Sequence, residues 1–95
     1  MNSMERLMNR LEGRPVDRPP NMNIVMLFAA KETGNTYGEV IRNGRLLAEG
    51  MLRCYERYGL DCLWAISDSV REPGDVGAEV VVPDRGVPYC PVPFI

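Results

Sequence analysis

Histidine is absent from these 95 residues, which removes the commonest general base, the commonest zinc ligand and every His-dependent nucleophilic triad. Chemistry carried by the chain must therefore come from carboxylates, Lys31, tyrosines or thiols. No G-x-x-x-x-G-K-[ST] or G-x-G-x-x-G run occurs, and Gly34, Gly38, Gly44 and Gly50 are too scattered to cradle a phosphate. No apolar run approaches the roughly 18 residues of a membrane span, and the opening Met-Asn-Ser-Met-Glu-Arg starts an amphipathic helix in place of a secretory signal. A net charge of −2 with both signs interspersed leaves no basic stripe for phosphates. Neither nucleic acid nor membrane is expected as a partner. Cysteine is scarce: Cys54, Cys62 and Cys90 are odd in number and form no Cys-x-x-Cys pair. They read as small apolar residues in a reducing, cytoplasmic compartment.

What the chain does contain is ordinary for one globular domain, with 45% apolar and 25% charged residues. Its most informative stretch is residues 11–20, Leu-Glu-Gly-Arg-Pro-Val-Asp-Arg-Pro-Pro. Gly13 can close a helix, and Pro15, Pro19 and Pro20 bias the residues before them toward extended backbone. Before this stretch, Met4, Leu7, Met8 and Leu11 recur at helical spacing, so a first helix over about residues 4–12 is expected, with Ser3 as its cap. After it, the apolar run at 22–28 reads as a strand with both faces covered. Thr36 with Glu39 three residues on makes a capping-box pattern. Asn43-Gly44 then breaks residues 37–58 into one interrupted helix or two, and Gly59 is the stop. Residues 60–66 read as a second strand, parallel to the first across a right-handed crossover. Segments 78–82 and 87–90, around Pro83-Asp84-Arg85-Gly86, read as a β-hairpin.

Several residue runs resemble the uroporphyrinogen decarboxylase family over about residues 3–92. They are Glu5-Arg6-Leu7 through Arg10-Leu11-Glu12-Gly13-Arg14-Pro15-Val16-Asp17-Arg18-Pro19-Pro20, then Tyr58-Gly59-Leu60-Asp61, Ile66-Ser67-Asp68, and Val76-Gly77-Ala78-Glu79-Val80. The resemblance implies an α/β chain, a partial (β/α)8 TIM barrel whose first βαβ unit follows a short N-terminal helix and precedes a β-hairpin. Such a barrel needs about 200–250 residues or more. The expectation is one incomplete domain: helix and Pro-rich connector over 1–20, the βαβ unit over 21–69, loop and hairpin over 70–95. A fragment of a larger enzyme, a proteolytic remnant, or a homo-oligomer joined through open strand edges would follow.

The same resemblance marks Asp68 as substrate-binding, at the end of the second strand, where a carboxylate faces the pyrrole N–H groups of a tetrapyrrole. A loop aspartate capping the following turn is the plainer reading. The decarboxylases carry a Met-Arg-Gln-Ala-Gly-Arg type stretch that clamps carboxylates, whereas here Val25-Met26-Leu27-Phe28-Ala29-Ala30-Lys31 stands in its place. The departure favours the superfamily's cobalamin-dependent methyltransferases over true decarboxylation, with zinc to activate a thiol and a corrinoid protein as methyl donor. No catalytic residue or metal ligand is assigned in this segment, and the isolated chain is expected to be inactive. The alternatives are decarboxylation itself, a non-catalytic interaction module that binds a partner through open strand edges, and a small tetrapyrrole-binding protein that uses Asp68 and Trp64 without catalysis. Trp64 is otherwise expected in the core, and Asp17 and Arg18 are expected to hold the connector in place.

Overall fold

The computed structural model describes residues 1–93, so the last two residues of the expected closing segment lie outside it. Five helices form: α1 (Ser3–Leu11), α2 (Met26–Thr33), α3 (Tyr37–Ile41), α4 (Gly44–Tyr58) and α5 (Arg71–Asp75). Among the described residues there is no strand, only one antiparallel bridge between Val81 and Tyr89. The expected α/β partial barrel, with its βαβ unit and hairpin, is therefore not the fold of this chain.

Each lost strand has a local reason. Pro19 and Pro20 keep the backbone out of helix only as far as Val25, after which Met-Leu-Phe-Ala-Ala-Lys-Glu contains good helix formers and winds into α2. A short apolar run satisfies the pattern of a buried strand and of a buried helix equally well. The backbone N–H of Asp61 still donates to the Asn21 carbonyl at 2.9 Å, so the two expected strands start side by side, and no ladder follows. At the other end, Val81 and Tyr89 exchange both backbone bonds, at 2.8 and 3.1 Å. The next hydrogen-bonded pairs on either side would involve Pro83 and Pro91, which have no N–H to give, so the ladder stops at one rung.

The helices follow their caps. Asn2, not Ser3, begins α1: its side chain accepts from Glu5 N–H while the Glu5 carboxylate accepts from Asn2 N–H. Thr36 accepts from Glu39 N–H to start α3, and Asn43 accepts from Arg45 and Leu46 N–H groups to start α4. Gly59 ends α4 at φ 65°, a left-handed conformation that costs glycine little.

Packing centres on α2 against α4, with α3 closing one end. Ala30, Tyr37, Val40 and Ile41 make one buried cluster, and Ala29, Cys54 and Leu60 a second. Gly50 lets the two main helices touch, because a Cβ there would lie 2.8 Å from the Ala29 carbonyl oxygen. The layer is thin. The described chain measures 46 × 34 × 17 Å with a radius of gyration of 16.0 Å, against about 12 Å for a compact chain of this length. Large apolar side chains consequently remain outside, including Met4 and Leu11 of α1 and Trp64, which is 42% exposed and not in the core. The indole N–H of Trp64 donates to the Met22 carbonyl, fixing the ring over the connector.

Candidate functional site

Two polar clusters stand out, and the second lines a groove. The first ties α1 to the chain. Arg6 is 7% exposed; its guanidinium pairs with Asp17 at 2.7 Å and with Asp61 at 2.6 Å. Asp61 also accepts from Arg18, from the Ser3 hydroxyl and from the Asn21 backbone N–H. Arg18 holds Asp61 well below the usual carboxylate range, and Arg6 does the same for Asp17, while the Arg6 guanidinium is pushed further up. Every oxygen is committed to an internal donor, so the cluster is a clasp. Asp17 and Arg18 do anchor the connector, with Arg6 and Asp61 as partners that pattern reading passed over. A buried arginine on the polar side of an amphipathic helix gives no periodic signal.

The second cluster surrounds Asp68, which is 3% exposed. It lies between α4 and α5 in the chain, in a segment without helix or strand. Its Oδ1 accepts from Val70 N–H at 3.0 Å, an Asx turn, and its Oδ2 accepts from the Ser67 hydroxyl at 2.7 Å. The turn-capping role read as the plainer alternative is thus present in the geometry. The carboxylate lines a groove of about 370 Å³ together with Ile41, Val70, Arg71, Val80 and Val82. That volume lies near the lower end of small-molecule sites. It suits one edge or one peripheral group of a larger ligand.

Two arginines flank this groove, each giving part of its guanidinium to the protein itself. Arg71 donates through Nε to Ser67 Oγ at 3.0 Å and through Nη2 to the Ile41 carbonyl at 2.6 Å, with Nη2 3.6 Å from Asp68. Arg42 donates through Nη2 to the Val82 carbonyl at 2.9 Å. Tyr37 donates its phenol proton to the Ser67 carbonyl at 2.6 Å. Burial, and then the negative charge on Asp68, push that phenol up from its ordinary value. Lys31, the one cation in the segment aligned with the arginine clamp, lines a different groove beside Arg85.

The thiols do not fit zinc. Cys54 lies in the core, where burial pushes its thiol up, and Cys62 and Cys90 are half-buried. Among the described residues no three Cys, Asp or Glu side chains converge as a ligand set. No helix among them is long and apolar enough to cross a membrane.

Comparison with known proteins fits this arrangement into a lineage. Neither the curated proteins nor the solved structures contain a match to the chain. The family model described as uroporphyrinogen decarboxylase (URO-D) matches residues 2–95. A match over nearly the whole length establishes that the chain belongs to the uroporphyrinogen decarboxylase family.

Proposed function

We propose that this chain supplies the Asp68 anchor of a superfamily enzyme of the cobalamin-dependent methyltransferase type, binding the amide-bearing edge of a corrinoid. The observation that carries this reading is a buried carboxylate lining a groove, with no arginine on the helix that stands where the decarboxylases carry their carboxylate clamp. A corrin periphery carries carboxamides, whose N–H groups a carboxylate accepts. A uroporphyrinogen periphery carries carboxylates, which need free, forked guanidinium groups. Helix α2 offers none, since its only cation is Lys31.

Asp68 uses one lone pair on each oxygen internally, which leaves acceptor capacity toward the groove. Held in place before the ligand arrives, it spends no further ordering entropy on binding. The chain offers binding and orientation and no transfer chemistry of its own: it has no histidine, and its described thiols assemble no zinc shell. Turnover by the isolated 95 residues is not expected.

An absorbance titration of the chain with hydroxocobalamin, repeated with uroporphyrin, tests the proposal. Saturable binding of hydroxocobalamin that Asp68→Asn weakens at least about tenfold, the scale of one hydrogen bond to a charged group, supports it. Preference for uroporphyrin points instead to the decarboxylase reading. Equal binding by native and Asp68→Asn chains overturns Asp68 as the anchor.

A further inference from the structure

Residues 67 and 68 are buried, yet no ladder or helix holds their backbone. Buried polar groups must find partners, and here the partners come from two flanking helices. Tyr37 of α3 caps the Ser67 carbonyl. Arg71 of α5 reaches back along three directions: to Ser67 Oγ, to the last residue of α3 through the Ile41 carbonyl, and toward Asp68 Oδ2. The Ser67 hydroxyl, receiving the Arg71 N–H, has its own proton turned onto Asp68 Oδ2 at 2.7 Å. A continuous chain of donors thus runs from guanidinium to hydroxyl to carboxylate.

We infer that Arg71 is a positioning residue for Asp68, acting through the Ser67 hydroxyl. The guanidinium fork sets the direction of the hydroxyl proton, and that proton sets the rotation of the carboxylate. Lysine cannot replace it: an ammonium on a flexible stem has a single nitrogen and cannot serve Ser67 and Ile41 while facing Asp68. Serine at 67 is required for its hydroxyl, so threonine should serve and alanine should not. Only the ligand-binding consequence rests on the proposed function; the positioning itself is a property of the free chain.

Residue-resolved amide hydrogen exchange on the full chain tests the positioning directly. Val70 N–H is bonded to Asp68 Oδ1 at 3.0 Å and reports where that carboxylate points. Arg71→Lys and Ser67→Ala should each raise Val70 exchange about tenfold, the scale of one lost hydrogen bond, with α2 and α4 amides unchanged. Ser67→Thr should restore native protection. Val70 exchange at the native rate in both Arg71→Lys and Ser67→Ala overturns the inference, as does a Ser67→Thr chain indistinguishable from Ser67→Ala. Should one variant unfold, exchange rises at every amide together and the other variant decides. A hydroxocobalamin titration separates the two ideas. Loss of affinity in Asp68→Asn without loss in Arg71→Lys sinks the ligand-binding consequence of the positioning and leaves the anchor standing, whereas altered Val70 exchange with no effect of Asp68→Asn on binding leaves the positioning standing and sinks the anchor.

Discussion

Replacing Gly50 by alanine should destabilise the chain, against the rule that alanine improves a helix. In the interior of α4 the change gains about 1 kcal/mol in helix propensity. The new Cβ, however, would meet the Ala29 carbonyl oxygen at 2.8 Å and the Ala29 Cβ at 3.0 Å, inside the roughly 3.5–4.0 Å of an ordinary carbon contact. The obstacle is backbone, so no side chain can swing aside, and α2 must shift as a body against α4, its main packing partner. Overpacking of this kind costs about 1–3 kcal/mol. With the helix face closed on both sides the upper part of that range applies, leaving a net loss of about 1–2 kcal/mol. For a domain of this size that corresponds to a fall in Tm of roughly 4–15 °C, read by far-ultraviolet circular dichroism. Gly44→Ala is the control, because a Cβ there meets open space. A Gly50→Ala chain that melts at or above the native temperature refutes the close α2–α4 contact.

Acid should loosen α1 before the rest of the chain. Asp61 and Asp17 are held below their unfolded values, so their contribution is complete above about pH 4 and is lost as pH falls through the lower folded-state values. Exchange at α1 amides should rise with acid in the native chain, and Asp61→Asn should be loosened already at neutral pH; an α1 that responds to neither contradicts the clasp. Tyr37→Phe leaves the buried Ser67 carbonyl without its partner and should cost about 1–2 kcal/mol in urea unfolding. Leu11→Gln, at a side chain 71% exposed, should change stability by no more than about 0.5 kcal/mol; a large loss would show that the stripe is covered.

The helix boundaries were legible wherever a cap or stop residue spoke for itself: Thr36 with Glu39, Asn43 and Gly59 all act where their chemistry places them. The strands were misread because residues 22–28 and 60–66 are short apolar runs whose burial pattern has no helix or strand signature of its own. What decided the first was the helix-forming content of residues 26–33, and what decided the hairpin was the spacing of Pro83 and Pro91 about the Val81–Tyr89 bridge. Asp68 was singled out through family resemblance, since one aspartate in a loop carries no periodic signal. Its bracing by Arg71, Ser67 and Tyr37 was not legible, because Tyr37 lies thirty residues away in sequence and only folding brings it near. The Arg6–Asp61 pair, fifty-five residues apart, escaped for the same reason.

Amide chemical-shift mapping of hydroxocobalamin on the full chain bears most directly on the Asp68 groove. The account predicts saturable changes concentrated at Asp68, Val70, Arg71, Val80 and Val82, the residues that line it. Changes confined to α1 or the outer face of α4, with the Asp68 groove silent, contradict it.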